Sequence, residues 1–440
     1  MILIYAENKT PRLEYIARLI FEDILKVKVS VTSDLQEFQK SGLPKINYSG
    51  KKLEGILYLK PHKLLFSKNP ELPEVTPVNY RGEKYFFPTS DNSFLPFDPL
   101  AASFFLVTRM EEYFENELGK YNCYPAEKSI LVKNGLLKKP VVNIWARLLA
   151  EKIKEEYPEF EIPEPGFSFI STIDVDNAWA YAHKKFLRST GAFLKDFFTG
   201  RWANNITRVK TWFNPNLDPY NSYDFIKNVF SGNEEKAMFF FLLGNYKKYD
   251  KNIFFKNRHF RELIRSLAAN YKTGIHPSFN SSREGRENLV SIEKKRLEQI
   301  TGQDITKSRQ HFLRLFFPKT YRVLQKSGIK EDYSMGYSSH TGFRAGICTP
   351  FSFYDLGKNK ETNLKIFPFQ VMDVTLNEYL GLSADEAKNE IALLMEEVKK
   401  AGGTFISVWH NETLTDRGRW QGYREVFEFM NRKGFNLANE

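Results

Sequence analysis

The chain is poor in cysteine. Its 440 residues include only Cys123 and Cys348, far apart in sequence. Two such residues cannot build a disulfide framework, and they lack the paired spacing of a structural zinc site. A reducing compartment is therefore expected. No stretch approaches the roughly 18 consecutive apolar residues of a membrane-spanning helix, so no integral membrane segment is expected. The opening run Met1-Ile2-Leu3-Ile4-Tyr5-Ala6-Glu7-Asn8 turns polar after six residues and has no basic lead. It reads as a first strand, not a secretory signal, and a cytoplasmic location is expected. The formal net charge is +11, yet no block of five or six like charges occurs. Lysine and arginine are mixed with acids along the whole length. Zinc-finger spacing and aromatic RNA-binding signatures are both missing, so nucleic acid is not an expected partner. Internal repeats and low-complexity tracts are also lacking.

Apolar residues are plentiful, at 42% of the chain, and aromatics reach 15%, with 39 Phe and 22 Tyr. That supports a large phenylalanine-rich core or sugar-stacking surfaces. The length suggests two or three domains. Residues 1–157 alternate strand-like and helix-like segments, with strands near 1–5, 27–31, 56–59 and 85–88. Helical spacing covers 11–25, 98–114 and 141–153, and the Asp98-Pro99 pair suits the first two positions of a helix. This is a smaller α/β domain without visible catalytic chemistry. Residues 158–165, with three prolines and several acids, form the expected linker. Across 166–440 the pattern becomes regular. Strands are expected at 167–175, 237–243, 273–277, 309–313, 333–336, 367–373 and 404–410. Helices are expected at 223–230, 260–270, 286–300, 321–327 and 384–400. Seven strands alternating with helices predict a parallel sheet closed, or nearly closed, into a deformed (β/α)7 barrel. Such barrels carry their chemistry at the C-terminal ends of the strands.

Ionisable residues gather at those ends. Asp174 and Asp176 are two apart, so on a strand both carboxylates face one site. A cation or a proton must relieve their repulsion, and a metal on one leaves the other as a general base. Alternatively, one of them caps the next helix. His276 ends the third expected strand and suits a divalent metal, or is a satisfied core histidine. Arg309 and His311 share the fourth expected strand. Arg309 could pair with a carboxylate base, and His311 could be a ligand or a polar wall. His410 ends the last strand and could protonate a leaving amine. Trp409 could pack on a sugar ring or an acetyl methyl, or be barrel core. Residues two apart on one strand do not flank a glycosidic bond from both faces, which argues against a glycosidase built on Asp174 and Asp176.

These motifs, in this order, resemble the polysaccharide deacetylase domain of carbohydrate esterase family 4, from Gly166 to about Lys433. Thr172-Ile173-Asp174-Val175-Asp176 is similar to that family's first motif, which implies Asp174 as base and Asp176 as metal ligand. His276 matches the first histidine of the second motif. Arg309 matches the arginine that orients the base, and His410 matches the histidine acid of the last motif. Asp332-Tyr333-Ser334-Met335-Gly336 resembles the fourth region, which implies a substrate-binding Asp332. Four residues after His276 the family has a second histidine, whereas Asn280 stands here. The third ligand then falls to Asn280, through its amide oxygen, or to His311. Segments 308–314, 342–346 and 409–414 resemble a divergent branch with an extra N-terminal α/β domain. The resemblance implies a metal-dependent hydrolase with zinc, or cobalt or manganese, that removes N-acetyl groups from a hexosamine-containing glycan or glycoconjugate. Two alternatives stay open: a non-catalytic glycan-binding barrel with a degenerate metal site, and a hydrolase of another non-peptide C–N bond.

Overall fold

The computed structural model describes residues 1–89, 92–164, 166–184 and 186–440. Pro165, the last residue of the expected linker, lies outside them. The N-terminal part holds a parallel sheet of β1 (Ile2–Tyr5), β2 (Val29–Thr32), β3 (Lys45–Asn47) and β4 (Leu57–Tyr58), in the order β2-β1-β3-β4. A hairpin of β5 (Pro77–Tyr80) and β6 (Glu83–Phe86) follows. Thr10 caps the helix Pro11–Arg18, accepting from Leu13 N at 3.2 Å. Asp98 caps Pro99–Val107 with two bonds of 3.0 Å, from Leu100 N and Ala101 N. These side chains satisfy amide groups that a helix start leaves open. The single helix expected over 98–114 is broken, because Arg109 takes a left-handed conformation, with φ 52°.

The C-terminal part is built on β7 (Phe167–Val175), β8 (Ala237–Leu242), β9 (Lys272–His276), β10 (Lys307–Ser308), β11 (Glu331–Asp332), β12 (Phe351–Asp355), β13 (Lys360–Ile366), β14 (Val371–Met372) and β15 (Gly403–His410). Their order in the sheet is β12-β13-β11-β10-β9-β8-β7-β15-β14, and only β12 runs antiparallel to its neighbour. The strand expected at 367–373 is not one strand. The chain leaves β13 at one side of the sheet and enters β14 at the other, five residues later. Five residues span at most about 17 Å, so the two sides must curl together. Backbone bonds bridge the gap: Phe367 N to Asp332 O (2.8 Å), Phe369 N to Met335 O (3.1 Å) and Gln370 N to Ile406 O (3.0 Å). With the 360–372 run taken as one strand, the closed ring has the seven strands of the expected barrel. The β12–β13 hairpin is an addition to it.

Two other strands lie just before the residues where the sequence suggests them, β10 at Lys307–Ser308 and β11 at Glu331–Asp332. None of residues 309–313 is in a strand, and Phe312 and Leu313 adopt left-handed backbone (φ 61° and 53°) that a ladder cannot hold. Arg309 and His311 therefore lie on the loop after β10. None of residues 333–336 is in a strand either: β11 ends at Asp332, whose carboxylate captures Ser334 N at 3.0 Å and turns the chain.

Inside the barrel, Met238 and Phe240 of β8 meet Ile406 and Val408 of β15, together with Tyr333 and Phe369. Alternation along each strand sends every second residue into this lumen. Gly274 is needed here, because a Cβ would lie 2.4 Å from the Phe240 ring. The outer faces join a larger core that runs without a break into the N-terminal part. Buried polar contacts cross the same boundary. Arg344 pairs with Glu112 (2.5 and 2.9 Å), and Tyr15 donates to Ser352 O (2.7 Å).

Candidate metal and acid–base site

A cavity of about 350 Å³ opens at the C-terminal rim of the barrel, lined by Asp174, Asp176, His276, His311 and His410 among others. Strand register assembles it. Asp174 is level with His410 on the neighbouring strand, and Leu242 with His276. Asp176 and His276 approach to 3.2 Å (Oδ1 to Nε2), and Asp176 and His311 to 3.3 Å (Oδ2 to Nε2). The donor atoms of Asp176, His276 and His311 all lie within 4.8 Å of one another.

The surroundings orient these groups as ligands. His276 Nδ1 lies 2.5 Å from Arg309 O, an atom that only accepts, so Nδ1 carries a proton and Nε2 turns to the cavity. His311 Nδ1 lies 3.0 Å from Asp250 Oδ1, which likewise directs its Nε2 toward Asp176. Ligating histidines are commonly fixed by such second bonds. Among the described residues, nothing donates a hydrogen bond to the buried Asp176 Oδ1. An oxygen lone pair beside a nitrogen lone pair calls for a cation between them. The separations of 3.2 and 3.3 Å suit that, since two ligands about 2.0–2.1 Å from a tetrahedral zinc stand about 3.3 Å apart. The three residues fit a metal ion.

Electrostatics follow the same geometry. Burial alone would raise the Asp176 pKa, but the His311 and His276 imidazoles outweigh it and hold the carboxyl well below its usual range. Burial disfavours a charged His311, yet Asp176 and Asp250 push its pKa up to about 9. A metal that binds there must displace this proton.

The remaining groups flank the cluster. Asp174 is held by Arg309 (Nη1 to Oδ1, 3.0 Å), and its other oxygen lies 3.8 Å from His276 Nε2. Arg309 is fully buried, anchored by Thr172 Oγ1 (2.5 Å) and Tyr333 O (3.0 Å) and packed over Phe240. His410 Nδ1 donates to Asp373 at 2.9 Å, and its Nε2 lies 4.0 Å from Asp176. Burial opposes the His410 cation, but Asp373, and after it Asp176 and Asp174, raise its pKa well above that of an ordinary imidazole. Burial, reinforced by Asp176, lifts Glu412 at the cavity wall to about 7.

Three residues expected here lie elsewhere. Asn280 lines a neighbouring cavity with Lys247, Tyr249 and Arg283, and its backbone N–H bonds Asp250 at 3.2 Å. Trp409 is fully buried between Tyr423 and Phe427, with Nε1 3.3 Å from Met430 Sδ. Strand alternation turns it away from the face that carries His410, so it is barrel core and cannot stack on a sugar. Asp332 is fully buried too, bonded to Ser308 Oγ (2.8 Å) and to Ser334 N and Oγ (3.0 and 2.9 Å). It braces the loop after β11 and does not reach the cavity.

Several residues that build the site had little or no sequence signal. Asp250 sits in a loop without periodicity. Asp373 follows β14 directly, and its place at the end of an expected strand was the one available hint. Lys120 and Tyr121 come from the N-terminal part and wall the cavity from outside the barrel. Tyr121 and Asn122 both have positive φ, at 60° and 59°, and Arg314 Nε holds Tyr121 O at 2.8 Å. The Tyr121 ring packs on Phe312, with centroids 4.5 Å apart.

Residues 2–158 match DUF7033, described as a family of unknown function. No curated protein matches the chain. Among solved structures, the chain is similar to a protein named "putative polysaccharide deacetylase" from Mycobacterium smegmatis. The two are 16% identical over 62% of this chain and 86% of that one, with a TM-score of 0.39. It is also similar to Puue allantoinase, at 9% identity over 62% of this chain and 90% of that one, with a TM-score of 0.38.

Proposed function

We propose that the barrel is a metal-dependent hydrolase that removes N-acetyl groups from a hexosamine-containing glycan or glycoconjugate. One observation carries the reading: a carboxylate fixed by a buried arginine and an imidazole backed by a second carboxylate flank a single Asp-His-His cluster. Amide hydrolysis needs both a base for the attacking water and an acid for the departing amine. Held by Asp176, His276 and His311, a divalent ion (zinc by its donor set, with cobalt or manganese as substitutes) supplies Lewis acidity to the acetyl carbonyl and to water.

Asp174 accepts the proton of the attacking water through Oδ2, while Arg309 fixes the carboxylate from Oδ1. His410 delivers its proton from Nε2 to the amine nitrogen as the C–N bond breaks. Asp373 fixes that imidazole from Nδ1. Tyr121, Phe312, Leu313 and Met372 offer apolar walls for a sugar face and an acetyl methyl. The reading as a degenerate binding barrel drew its support from Asn280 in the third ligand position, and that support weakens with His311 beside Asp176.

Acetate release from N-acetylglucosamine oligomers tests the proposal, with zinc, cobalt or manganese supplied. Asp174→Asn should cut turnover by roughly 100- to 10,000-fold with one metal per chain retained. Full activity in that variant refutes the assigned base. Cleavage of small amides but of no acetylated sugar would indicate a different C–N bond. Failure to bind any metal would favour a binding protein.

A further inference from the structure

The connection between β7 and β8 contains two helices, Phe186–Phe198 and Trp202–Phe213, which pack on each other as a hairpin. Their amphipathicity is reversed. Among the described residues, the buried positions are polar: Asp196, Asn205, Arg208 and Thr211. Arg208 pairs with Asp196 at 2.5 Å, and Asn205 donates to Phe193 O at 3.1 Å. Leu194, Phe197, Phe198, Trp202, Ile206 and Phe213 are exposed. Leu194, Phe197 and Phe198 follow i, i+3, i+4 spacing on the first helix, and Trp202, Ile206 and Phe213 follow i, i+4, i+11 on the second. Such spacings place each set on one helix face. Phe198 is 81% exposed and Phe213 87%. A continuous apolar face of this kind marks an interaction surface.

Charge identifies the partner. Residues 184–213 contain seven Lys or Arg and one acid, Asp196. That acid is already neutralised by Arg208. Lys195, Arg201 and Lys210 are exposed and make no ion pair among the described residues. A second copy of the chain would bring two strongly cationic hairpins together, which charge repulsion opposes. An anionic surface with an apolar interior complements both features. At 1.5 Å per residue the longer helix measures about 20 Å, short of a hydrocarbon core of about 30 Å. It therefore suits the boundary between headgroups and acyl chains, where basic, aromatic-rich amphipathic helices lie.

We propose that this hairpin docks the protein on anionic lipid membranes. Its base is fastened at the catalytic rim. Asp218 accepts the backbone N–H groups of Ala180, Tyr181 and Ala182, each at 2.8 Å. Asn411, next to His410, bonds Asn177 O (3.2 Å) and Tyr220 O (3.1 Å). Docking therefore brings that rim to the lipid surface. If the hydrolase reading holds, on which this one step rests, the substrate is an acetylated glycan presented at a membrane.

Co-sedimentation of the full chain with vesicles tests the docking without using catalysis. Vesicles of equal parts phosphatidylcholine and phosphatidylglycerol should retain the protein at least roughly tenfold better than phosphatidylcholine alone, with the difference shrinking as salt rises. Phe198→Ser combined with Phe213→Ser should lower retention at least roughly tenfold, and the far-ultraviolet circular dichroism should match that of the parent. Lys195→Glu with Lys210→Glu should remove the preference for anionic vesicles. The proposal is overturned if the parent stays in the supernatant with both vesicle types, or if the double serine variant binds like the parent. It is also overturned if the face instead holds a dimer that the serine variant dissolves.

Discussion

Asp373→Asn isolates what the second carboxylate does for His410. The buried Asp373 accepts His410 Nδ1 at 2.9 and 3.2 Å, His410 N at 2.8 Å and the Thr413 hydroxyl. At about 3 Å and an effective dielectric near 20, the attraction between the two charges is about 5 kcal/mol as an upper bound. The asparagine oxygen still accepts the Nδ1 proton, and burial of the ring is common to both proteins. The variant therefore loses the charge but keeps the hydrogen bond, and the His410 cation loses part of that attraction. In the wild type, burial lowers the His410 pKa but Asp373 raises it further, to well above the ordinary value. The variant should therefore release that proton at lower pH. Carbon-13 NMR of the histidine ring in metal-free protein reads this directly, with the 7 histidines assigned by means of His410→Gln. An acid catalyst works below its pKa and fails as the pH rises through it. The alkaline limb of kcat/KM for acetate release should move in the acid direction by a similar amount. If His410 titrates alike in both proteins, the Asp373 charge does not hold its proton and the acid assignment loses its physical basis.

His311→Ala should leave the metal below one equivalent per chain after dialysis, whereas Asn280→Ala should keep it, and elemental analysis of both decides which residue completes the site. Glu293 is buried against Ser278 N (2.8 Å) and Oγ (2.6 Å), and burial, partly offset by those bonds, raises its pKa to about 7. The folded state then keeps a proton that the unfolded chain releases near its ordinary value of 4.5. Stability from this group is full below that value and is lost as the pH climbs through about 7. Glu293→Gln, which cannot ionise, should gain on the wild type between about pH 5 and pH 8, by at most about 3 kcal/mol. Urea melts at the two pH values measure it, and a gap that does not widen with pH contradicts the buried-acid reading.

Local periodicity explains which parts of the site were legible. Asp174 and Asp176 share a face because they are two apart at the end of β7, and His410 sits at the end of a strand whose alternation also sends Trp409 outward. Nothing local marks Asp250, Glu412, Lys120 or Tyr121, whose positions depend on packing between distant segments. The barrel, closed or nearly closed, was legible as alternation, but the way it closes was not. One apparent strand proved to be a strap from β13 to β14, and its apolar residues are the same whether they pair with one neighbour or bridge two.

The identity of the third ligand turns on a single buried carboxylate. Four-residue spacing after His276 would place Asn280 in the site only if the chain continued over the cavity. It does not. Glu293 holds Ser278, while Asp250 accepts Phe279 N at 2.7 Å and Asn280 N at 3.2 Å, drawing that turn into the neighbouring cavity. The same Asp250 bonds the His311 ring. His311 reaches it because, past β10, Arg309 N bonds Ile275 O (3.1 Å) and His311 N bonds Pro277 O (3.2 Å), which keeps this stretch beside the end of β9. Asp250 thus keeps Asn280 away from Asp176 and fixes His311 beside it. Loss of the histidine four residues on is compatible with a complete donor set here, because the replacement arrives from another strand end through a contact that no sequence spacing encodes.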